Sequence, residues 1–220
     1  MCARFTLMMP SWQDVWKLLR FEFSEEDAAA YRPRYNIAPT SQHWVMIRGN
    51  DKRMMTRAKW GLIPRWAKDA KLASKMINAR LETVAEKPAY RSAYKDRRCI
   101  VPADGFYEWT GPEGDRQPLW IHPKSGGLLL IAGLYEDWND PANGPVRTFT
   151  IVTRDAEAPI RTVHDRMPLL VREDAVDAWI GPGAPDAVAL ALPTDALDLR
   201  RVSKRVNSPR VDEPSLVEPV

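Results

Sequence analysis

Cys2 is the residue of this sequence whose chemistry depends most on its position. Initiator methionine is normally trimmed before a small residue, and loss of Met1 would give Cys2 a free α-amine beside its thiol. Reference pKa values of about 8 for the amine and about 8.5 for the thiol leave both groups partly available as nucleophiles near neutral pH. Such a 1,2-aminothiol condenses with an aldehyde to an imine, and the sulfur then closes a thiazolidine ring. A chance cysteine after methionine gives the same dipeptide.

Three other polar residues are candidates for catalysis. Asn78 lies at the end of a basic segment. Glu108 alternates with Phe106 along a predicted strand, which places Glu108 and Phe106 on one face. A carboxyl group among aromatic rings can have a raised pKa and transfer protons, although an ordinary exposed strand residue fits the same pattern. His164 lies in a polar cluster between apolar residues, where structural histidines are commoner than catalytic ones.

Basic side chains are concentrated in residues 51–80, where nine Lys or Arg residues meet two Asp residues, a net charge of +7 in a chain of +3. A local basic field indicates a polyanionic partner, while a solvated face is the plainer alternative. Trp60 and Trp66 lie in the same segment and favour single-stranded nucleic acid, whose bases stack on aromatic rings.

The composition is that of a soluble globular protein of 220 residues, with 45% hydrophobic and 28% charged residues, and we expect a single domain over 1–220. The longest uncharged apolar run, 126–135, is about half of a membrane span, and no signal peptide is evident. Two cysteines cannot build a disulfide framework, so we expect a cytoplasmic protein with Cys99 as a buried, inert thiol. His43 and His122 are interpreted as structural.

Short strands dominate the predicted elements and are joined by turns in a chain with 19 prolines. Helices are predicted at 11–20, 24–30 and 173–180. Strands are predicted at 44–48, 54–60, 98–101, 105–110, 118–122, 128–135, 147–154 and 199–206. This pattern favours an α+β fold with a curved, mostly antiparallel sheet that closes into a barrel-like core.

Seven segments, in order along nearly the whole chain, resemble those of the SRAP family, the SOS-response-associated peptidases or abasic-site processing proteins. They are Met1-Cys2-Ala3-Arg4-Phe5, Tyr35-Asn36-Ile37-Ala38-Pro39-Thr40, Trp60-Gly61-Leu62-Ile63-Pro64, Ile77-Asn78-Ala79-Arg80-Leu81-Glu82-Thr83, residues 99–109, Val163-His164-Asp165-Arg166-Met167-Pro168 and residues 205–210. Each is modest evidence alone, but seven in order are specific.

The resemblance implies a protein that binds single-stranded DNA and crosslinks Cys2 to the open-ring aldehyde of an abasic site. It implies that Asn78 holds and orients the reacting group, that Glu108 shuttles protons, and that His164 favours sugar ring opening and reversal of the crosslink. The positions where family members contact DNA correspond to Arg4, Pro39, Trp66, Arg80, Thr153 and Arg166. No metal or nucleotide cofactor is expected, and nothing in the sequence requires more than a monomer that associates with the nucleoid when bound to DNA.

Two departures from the family pattern bear on rate and affinity: Ala3 stands where Gly is usual, and Ala67 stands where some relatives have a second Trp. Three alternatives stay open from the sequence. Cys2 could act as an N-terminal-nucleophile peptidase, in the simplest case to remove its own leader; the imine could proceed to β-elimination, as in a lyase; or the chain could be a non-catalytic single-strand binding module.

Overall fold

Thirteen strands carry most of the regular structure of the computed structural model, which describes residues 2–50 and 52–220. The strands are β1 (Phe5–Leu7), β2 (Arg34–Ile37), β3 (Gln42–Gly49), β4 (Lys52–Trp60), β5 (Asn78–Arg80), β6 (Arg98–Ala103), β7 (Gly105–Thr110), β8 (Gln117–Pro123), β9 (Leu129–Asp140), β10 (Gly144–Asp155), β11 (Arg166–Pro168), β12 (Leu170–Val171) and β13 (Leu197–Arg201).

Five short α-helices lie between the strands: α1 (Trp12–Leu19), α2 (Glu25–Ala30), α3 (Leu81–Val84), α4 (Arg91–Asp96) and α5 (Val176–Ile180). Ser11 and Ser24 begin the first two, because each side chain accepts a hydrogen bond from the backbone N–H three residues later. Six 3-10 helices, at Ala70–Lys75, Ile160–Thr162, Glu173–Ala175, Thr194–Ala196, Lys204–Asn207 and Pro214–Val217, complete the elements of the described residues.

Five strands form a closed ring in which β3 pairs with β4 and β6, β9 pairs with β6 and β10, and β10 returns to β4. Only the β10–β4 pair of this ring is parallel. A second sheet has the order β13-β8-β7-β1-β2. The predicted α+β fold with a mostly antiparallel, barrel-like core is therefore confirmed.

One continuous apolar core joins the two sheets. It includes Phe5 and Ile121 from the second sheet and Ile100, Ile131 and Phe149 from the closed ring, all fully buried. Residues of the closed ring and of the second sheet pack into the same core. The short strands β1 and β7 are therefore fixed against the barrel, and side chains on them have few accessible conformations.

Most predicted elements are observed, with two groups of differences. The predicted strand 199–206 is wrong beyond Arg201, where the chain turns into the 3-10 helix Lys204–Asn207. The predicted helix 173–180 begins as a 3-10 turn before α5. The very short strands β1, β2, β5, β11 and β12 escaped prediction, because pairing with longer neighbours, rather than a run of β-formers, makes them strands.

Within residues 2–50 and 52–220, no helix has the length and apolar character needed to cross a membrane.

Candidate active site and nucleic-acid interface

Cys2 is fully buried just before β1, and two hydrogen bonds hold the segment that contains it. The side-chain Nδ2 of Asn78 donates a hydrogen bond to the carbonyl oxygen of Cys2 at 2.9 Å. The backbone N–H of Tyr107 donates to the carbonyl of Arg4 at 2.9 Å, which continues the pairing of β1 with β7 back towards Cys2. The first residues of the chain therefore lie alongside the strand that carries Glu108.

The thiol of Cys2 is held in its neutral form. Burial, and next the negative charge of Glu108, raise the pKa of the Cys2 thiol far above its ordinary value. Its Sγ lies 3.8 Å from the carbonyl oxygen of Arg4, to which the thiol donates a weak hydrogen bond. A reaction at this sulfur therefore needs a group that takes the thiol proton as the new bond forms.

Glu108 has the properties of such a proton acceptor. It lies on β7 and only 2% of its surface is exposed, because the strand alternation places it on the same buried face as Phe106. Burial raises the pKa of Glu108 to about 7, and the carboxylate of Asp165 acts in the same direction. A carboxyl group that titrates near neutrality can both give and take a proton at working pH.

Asn78 is positioned by the strand that it begins. β5 runs parallel to β10, with Asn78 opposite Ile151, and the hydroxyl of Tyr90 donates to the carbonyl of Asn78 at 3.3 Å. The indole Nε1 of Trp60 donates to the carbonyl of Ile77 at 2.9 Å. The Oδ1 of Asn78 is buried and has no hydrogen-bond partner among the residues that the structure describes, so it can accept a hydrogen bond from a bound group.

His164 lies in the loop before β11. Its Nδ1 accepts a hydrogen bond from the backbone N–H of Arg166 at 2.9 Å and lies 2.8 Å from Oδ1 of Asp165. Burial lowers the pKa of His164, although Asp165 opposes this shift. Burial therefore favours the neutral imidazole, and the Asp165 carboxylate favours its charged form.

Three of the predicted DNA-contacting residues lie at the surface. Trp66 is 63% exposed in the turn after Pro64, Arg80 is exposed at the end of β5, and Pro39 is half-buried in the turn between β2 and β3. The exposed ring of Trp66 offers a face on which a base can stack.

The other three are engaged inside the protein. Thr153 is fully buried on β10, and Arg4 is half-buried, with its guanidinium donating to Asn36 Oδ1 and to the carbonyl of Val206, both at 2.8 Å. Arg166 is 7% exposed and forms ion pairs with Glu82 at 2.9 Å and Asp155 at 2.5 Å. Contact of Arg166 with a phosphate would require an exchange of these ion pairs.

The basic segment 51–80 is less uniform than its charge suggested. Lys52 pairs with Glu22, Arg53 with an acid of α5 and Arg57 with two acids of α2. Arg65 pairs with Glu136 at 2.9 Å. Trp60 is fully buried against Phe149, so the expectation that it joins Trp66 as a stacking residue is wrong. Asp51 of this segment lies outside the described residues.

Known proteins resemble this chain along most of its length. Residues 1–209 match the family described as SOS response associated peptidase (SRAP). The chain belongs to the SRAP family. It is 39% identical over 225 residues to the abasic site processing protein YoqW of Bacillus subtilis, covering 99% of both chains. It is 32% identical to the abasic site processing protein HMCES of Gallus gallus, covering 86% of this chain and 67% of the relative.

Solved structures show the same fold. A protein from Bacteroides thetaiotaomicron superposes with a TM-score of 0.84 at 22% identity, covering 100% of both chains. A protein from Bordetella bronchiseptica gives a TM-score of 0.79 at 26% identity, covering 92% of this chain and 100% of the other.

Several SRAP motif residues have structural roles that sequence reasoning missed. Nδ2 of Asn36 donates to the carbonyls of Val206, Ser208 and Val211, which ties the second motif to the last. A Cβ on Gly105 would lie 2.2 Å from the indole of Trp120, so only glycine fits there. These partners are far apart in sequence, and the only available signal was the presence of the motifs themselves.

The two departures of this SRAP chain lie in contrasting surroundings. Ala3 is half-buried directly beside Cys2. Ala67 packs near Ile63 and Trp138, and its carbonyl accepts a hydrogen bond from Trp138 Nε1 at 2.7 Å. This hydrogen bond fixes the backbone at Ala67. A larger side chain at this position would lie beside Trp66.

Proposed function

We propose that this SRAP protein captures abasic sites in single-stranded DNA covalently, through Cys2 after removal of Met1. The observation that carries the proposal is the placement of Cys2, which is buried, held by Asn78 at 2.9 Å, and close enough to Glu108 for the carboxylate to raise the pKa of its thiol. Membership of the family, and relatives named abasic site processing proteins, support DNA with an abasic site as the substrate.

The reaction joins one aldehyde to one aminothiol. The open-ring sugar presents its C1′ aldehyde to the α-amine of Cys2, which adds to give a carbinolamine and then loses water to give an imine. The sulfur adds to the imine carbon and its proton passes to the nitrogen, which closes the thiazolidine. C1′ ends bonded to nitrogen and sulfur, and one water is released.

Proton transfers in this sequence are assigned to Glu108 and His164. Because burial raises the pKa of Glu108 to about 7, its protonated form donates to the departing hydroxyl group and its ionised form accepts the Cys2 thiol proton. The neutral imidazole of His164, whose pKa burial lowers, assists opening of the sugar ring and reversal of the crosslink.

The DNA strand is placed over the exposed residues of the site. Trp66 stacks on a base beside the lesion, Pro39 ends the stack, and Arg80 contacts a phosphate. Arg4, Thr153 and Arg166 do not contact the strand directly. They support the protein surface on which the sugar and phosphate lie. On this proposal the protein is a monomer that acts in the cytoplasm, on the nucleoid when bound to DNA.

Cleavage of the Met1–Cys2 bond by the same nucleophile is the main alternative, and the family description as a peptidase favours it. The hydrogen bond from Asn78 argues against this cleavage. It binds the carbonyl of Cys2, whereas the carbonyl of the bond to be cleaved belongs to Met1. β-Elimination from the imine is the second alternative. If ring closure competes with it, Cys2→Ser shifts products from adduct towards a nicked strand.

A denaturing gel tests the proposal. The wild-type protein is incubated with a single-stranded oligonucleotide carrying one abasic site, and with the same oligonucleotide carrying an intact base. We expect a slow-migrating species only with the abasic strand, retained in Cys99→Ala, which alters the other buried cysteine, and absent in Cys2→Ala. A crosslink that persists in Cys2→Ala would refute the role of Cys2.

A further inference from the structure

A cleft of about 880 Å³ lies between the end of α1, the β3–β4 hairpin and α5. We call it the far cleft. Its lining residues are Trp16, Arg20, Phe21, Glu22, Arg48, Lys52, Arg53, Asp177 and Ile180. None of these residues belongs to the site around Cys2, and neither the family motifs nor the proposed crosslinking reaction uses them.

The far cleft and the site around Cys2 lie at opposite ends of β4. Lys52 begins this strand in the cleft, and Trp60 ends it beside the site, where its indole donates to the carbonyl of Ile77, the neighbour of Asn78. At about 3.3 Å per residue, the strand separates the two places by roughly 26 Å. A ligand in the far cleft would therefore leave Cys2 untouched.

The lining of the cleft is cationic, with four basic side chains and two carboxylates. Asp177 accepts two hydrogen bonds from Arg53, at 2.8 and 2.9 Å, and Glu22 accepts one from Lys52 at 2.6 Å. The side chains of Asp177 and Glu22 are 68% and 60% exposed, so these pairs are solvated and weak. An anionic group can therefore replace either carboxylate, and the surplus positive charge favours a phosphate over a neutral ligand.

An aromatic platform lies within the same cleft. Trp16 is 37% exposed, and the guanidinium carbon of Arg20 lies 4.5 Å from the centre of its ring. Arg20 holds this position at the end of α1 with φ of 48°, a left-handed conformation that a residue with a Cβ seldom adopts. A tryptophan ring beside an arginine offers one surface on which a base can stack and a cation for its phosphate.

We propose that the far cleft binds a nucleotide, with its base on Trp16 and its phosphates on the basic side chains of Arg48, Lys52 and Arg53. Combined base and phosphate recognition is favoured because the lining places a partly exposed tryptophan ring beside a net positive charge, with four basic side chains against two carboxylates. The nucleotide is either a free nucleoside phosphate or the end of a nucleic-acid strand. The proposal is independent of the crosslinking reaction at Cys2.

Calorimetric titration of the full-length protein tests this site with three probes: dATP, inorganic tripolyphosphate and a short single-stranded oligonucleotide with intact bases. We expect Trp16→Ala to weaken binding of dATP or of the oligonucleotide about tenfold and to leave tripolyphosphate unchanged. Trp16→Phe, which keeps an aromatic ring, should restore most of the affinity. Lys52→Ala should weaken all probes that bind in the cleft.

Lys17→Ala is the matched control, because Lys17 lies on the same helix but its ammonium group pairs with Asp14 outside the cleft. Whichever of dATP and the oligonucleotide binds with sensitivity to Trp16 identifies the source of the nucleotide. The proposal is overturned if neither does so, or if tripolyphosphate loses as much affinity as dATP in Trp16→Ala. Each outcome is read without the crosslinking assay, so failure of the proposed function would not affect it.

Discussion

The side-chain amide of Asn78 donates a 2.9 Å hydrogen bond to the carbonyl of Cys2, a residue 76 positions away. This bond joins the parallel strand β5, attached to the barrel through β10, to the first residues of the chain, which follow the second sheet. Cys2 is therefore positioned by both sheets at once, although it lies outside any strand. Loss of the bond would leave Cys2 less firmly fixed beside β7.

Replacement of the donor tests this relationship. We expect Asn78→Asp, which keeps the shape but removes the Nδ2 donor, to lower the crosslinking rate at least about tenfold, because the nucleophile loses its orientation. The loss of folding stability should be about 1–3 kcal/mol, because the buried carbonyl of Cys2 loses its donor and faces a carboxyl oxygen instead. Single-turnover kinetics on an abasic oligonucleotide and thermal unfolding give the two values. An unchanged rate would show that Asn78 does not position Cys2.

Glu108→Gln should change the pH dependence of stability. Because the folded-state pKa is raised from 4.5 to about 7, the folded protein favours neutral Glu108, and this stability is present below pH 4.5 and lost as the pH rises through 7. With about 1.4 kcal/mol per pKa unit, the loss reaches roughly 3 kcal/mol. The Tm of Glu108→Gln relative to wild type should therefore rise between pH 5 and 8.

The same substitution should flatten the pH profile of crosslinking. The wild-type rate is expected to be bell-shaped around neutrality, with Glu108 on one limb, and Glu108→Gln should lose that limb and react more slowly. Glu86→Gln, at an exposed position, is the control and should alter neither profile. An unaltered rate profile in Glu108→Gln would remove this residue from proton transfer.

Trp66 should matter for affinity and not for folding. Because its ring is 63% exposed, Trp66→Ala should leave the Tm nearly unchanged while weakening single-stranded DNA binding by about 1–3 kcal/mol. Trp66→Phe, which retains an aromatic face, should keep most of the affinity. Fluorescence anisotropy of a labelled oligonucleotide measures both. Equal affinities for all three proteins would exclude stacking on Trp66.

Arg166 and Arg80 should differ in how they affect DNA binding. Arg166→Gln breaks the ion pairs with Glu82 and Asp155 and should destabilise the fold by about 1–3 kcal/mol, with little effect on the salt dependence of binding. Arg80→Gln should leave the Tm unchanged and reduce the salt slope by about 0.7, the value for one phosphate contact on a single strand. A reduced slope in Arg166→Gln would show that Arg166 reaches the DNA.

The sequence predicted those parts of the structure that depend on neighbouring residues. The long strands β4, β9 and β10 were evident from runs of β-forming residues, and the alternation of Phe106 with Glu108 indicated their common face. The position of Cys2 after Met1 and the resemblance of the Asn78 segment to the SRAP family indicated these two candidate residues. The sequence does not predict the hydrogen-bond or ion-pair partner of each polar side chain, because that partner comes from a segment far away along the chain.

The arginines show this most clearly. Arg166 could be predicted as a DNA contact from its motif, yet the fold places Glu82 and Asp155 against its guanidinium. Arg4 is similarly engaged by Asn36 and by the carbonyl of Val206, which is 202 residues away along the chain. Tertiary folding brings these groups together from distant parts of the chain, and spacing along the sequence does not predict such contacts.

The most direct test of the central claim is the intact mass of the protein after incubation with a single-stranded oligonucleotide that carries one abasic site. We expect a protein without Met1 and a covalent complex whose mass equals protein plus oligonucleotide less one water, without added reductant. Cys2→Ala should give no complex, and Cys99→Ala should give the wild-type result. A preparation that has lost Met1 but forms no complex, or a complex that forms in Cys2→Ala, would contradict the claim.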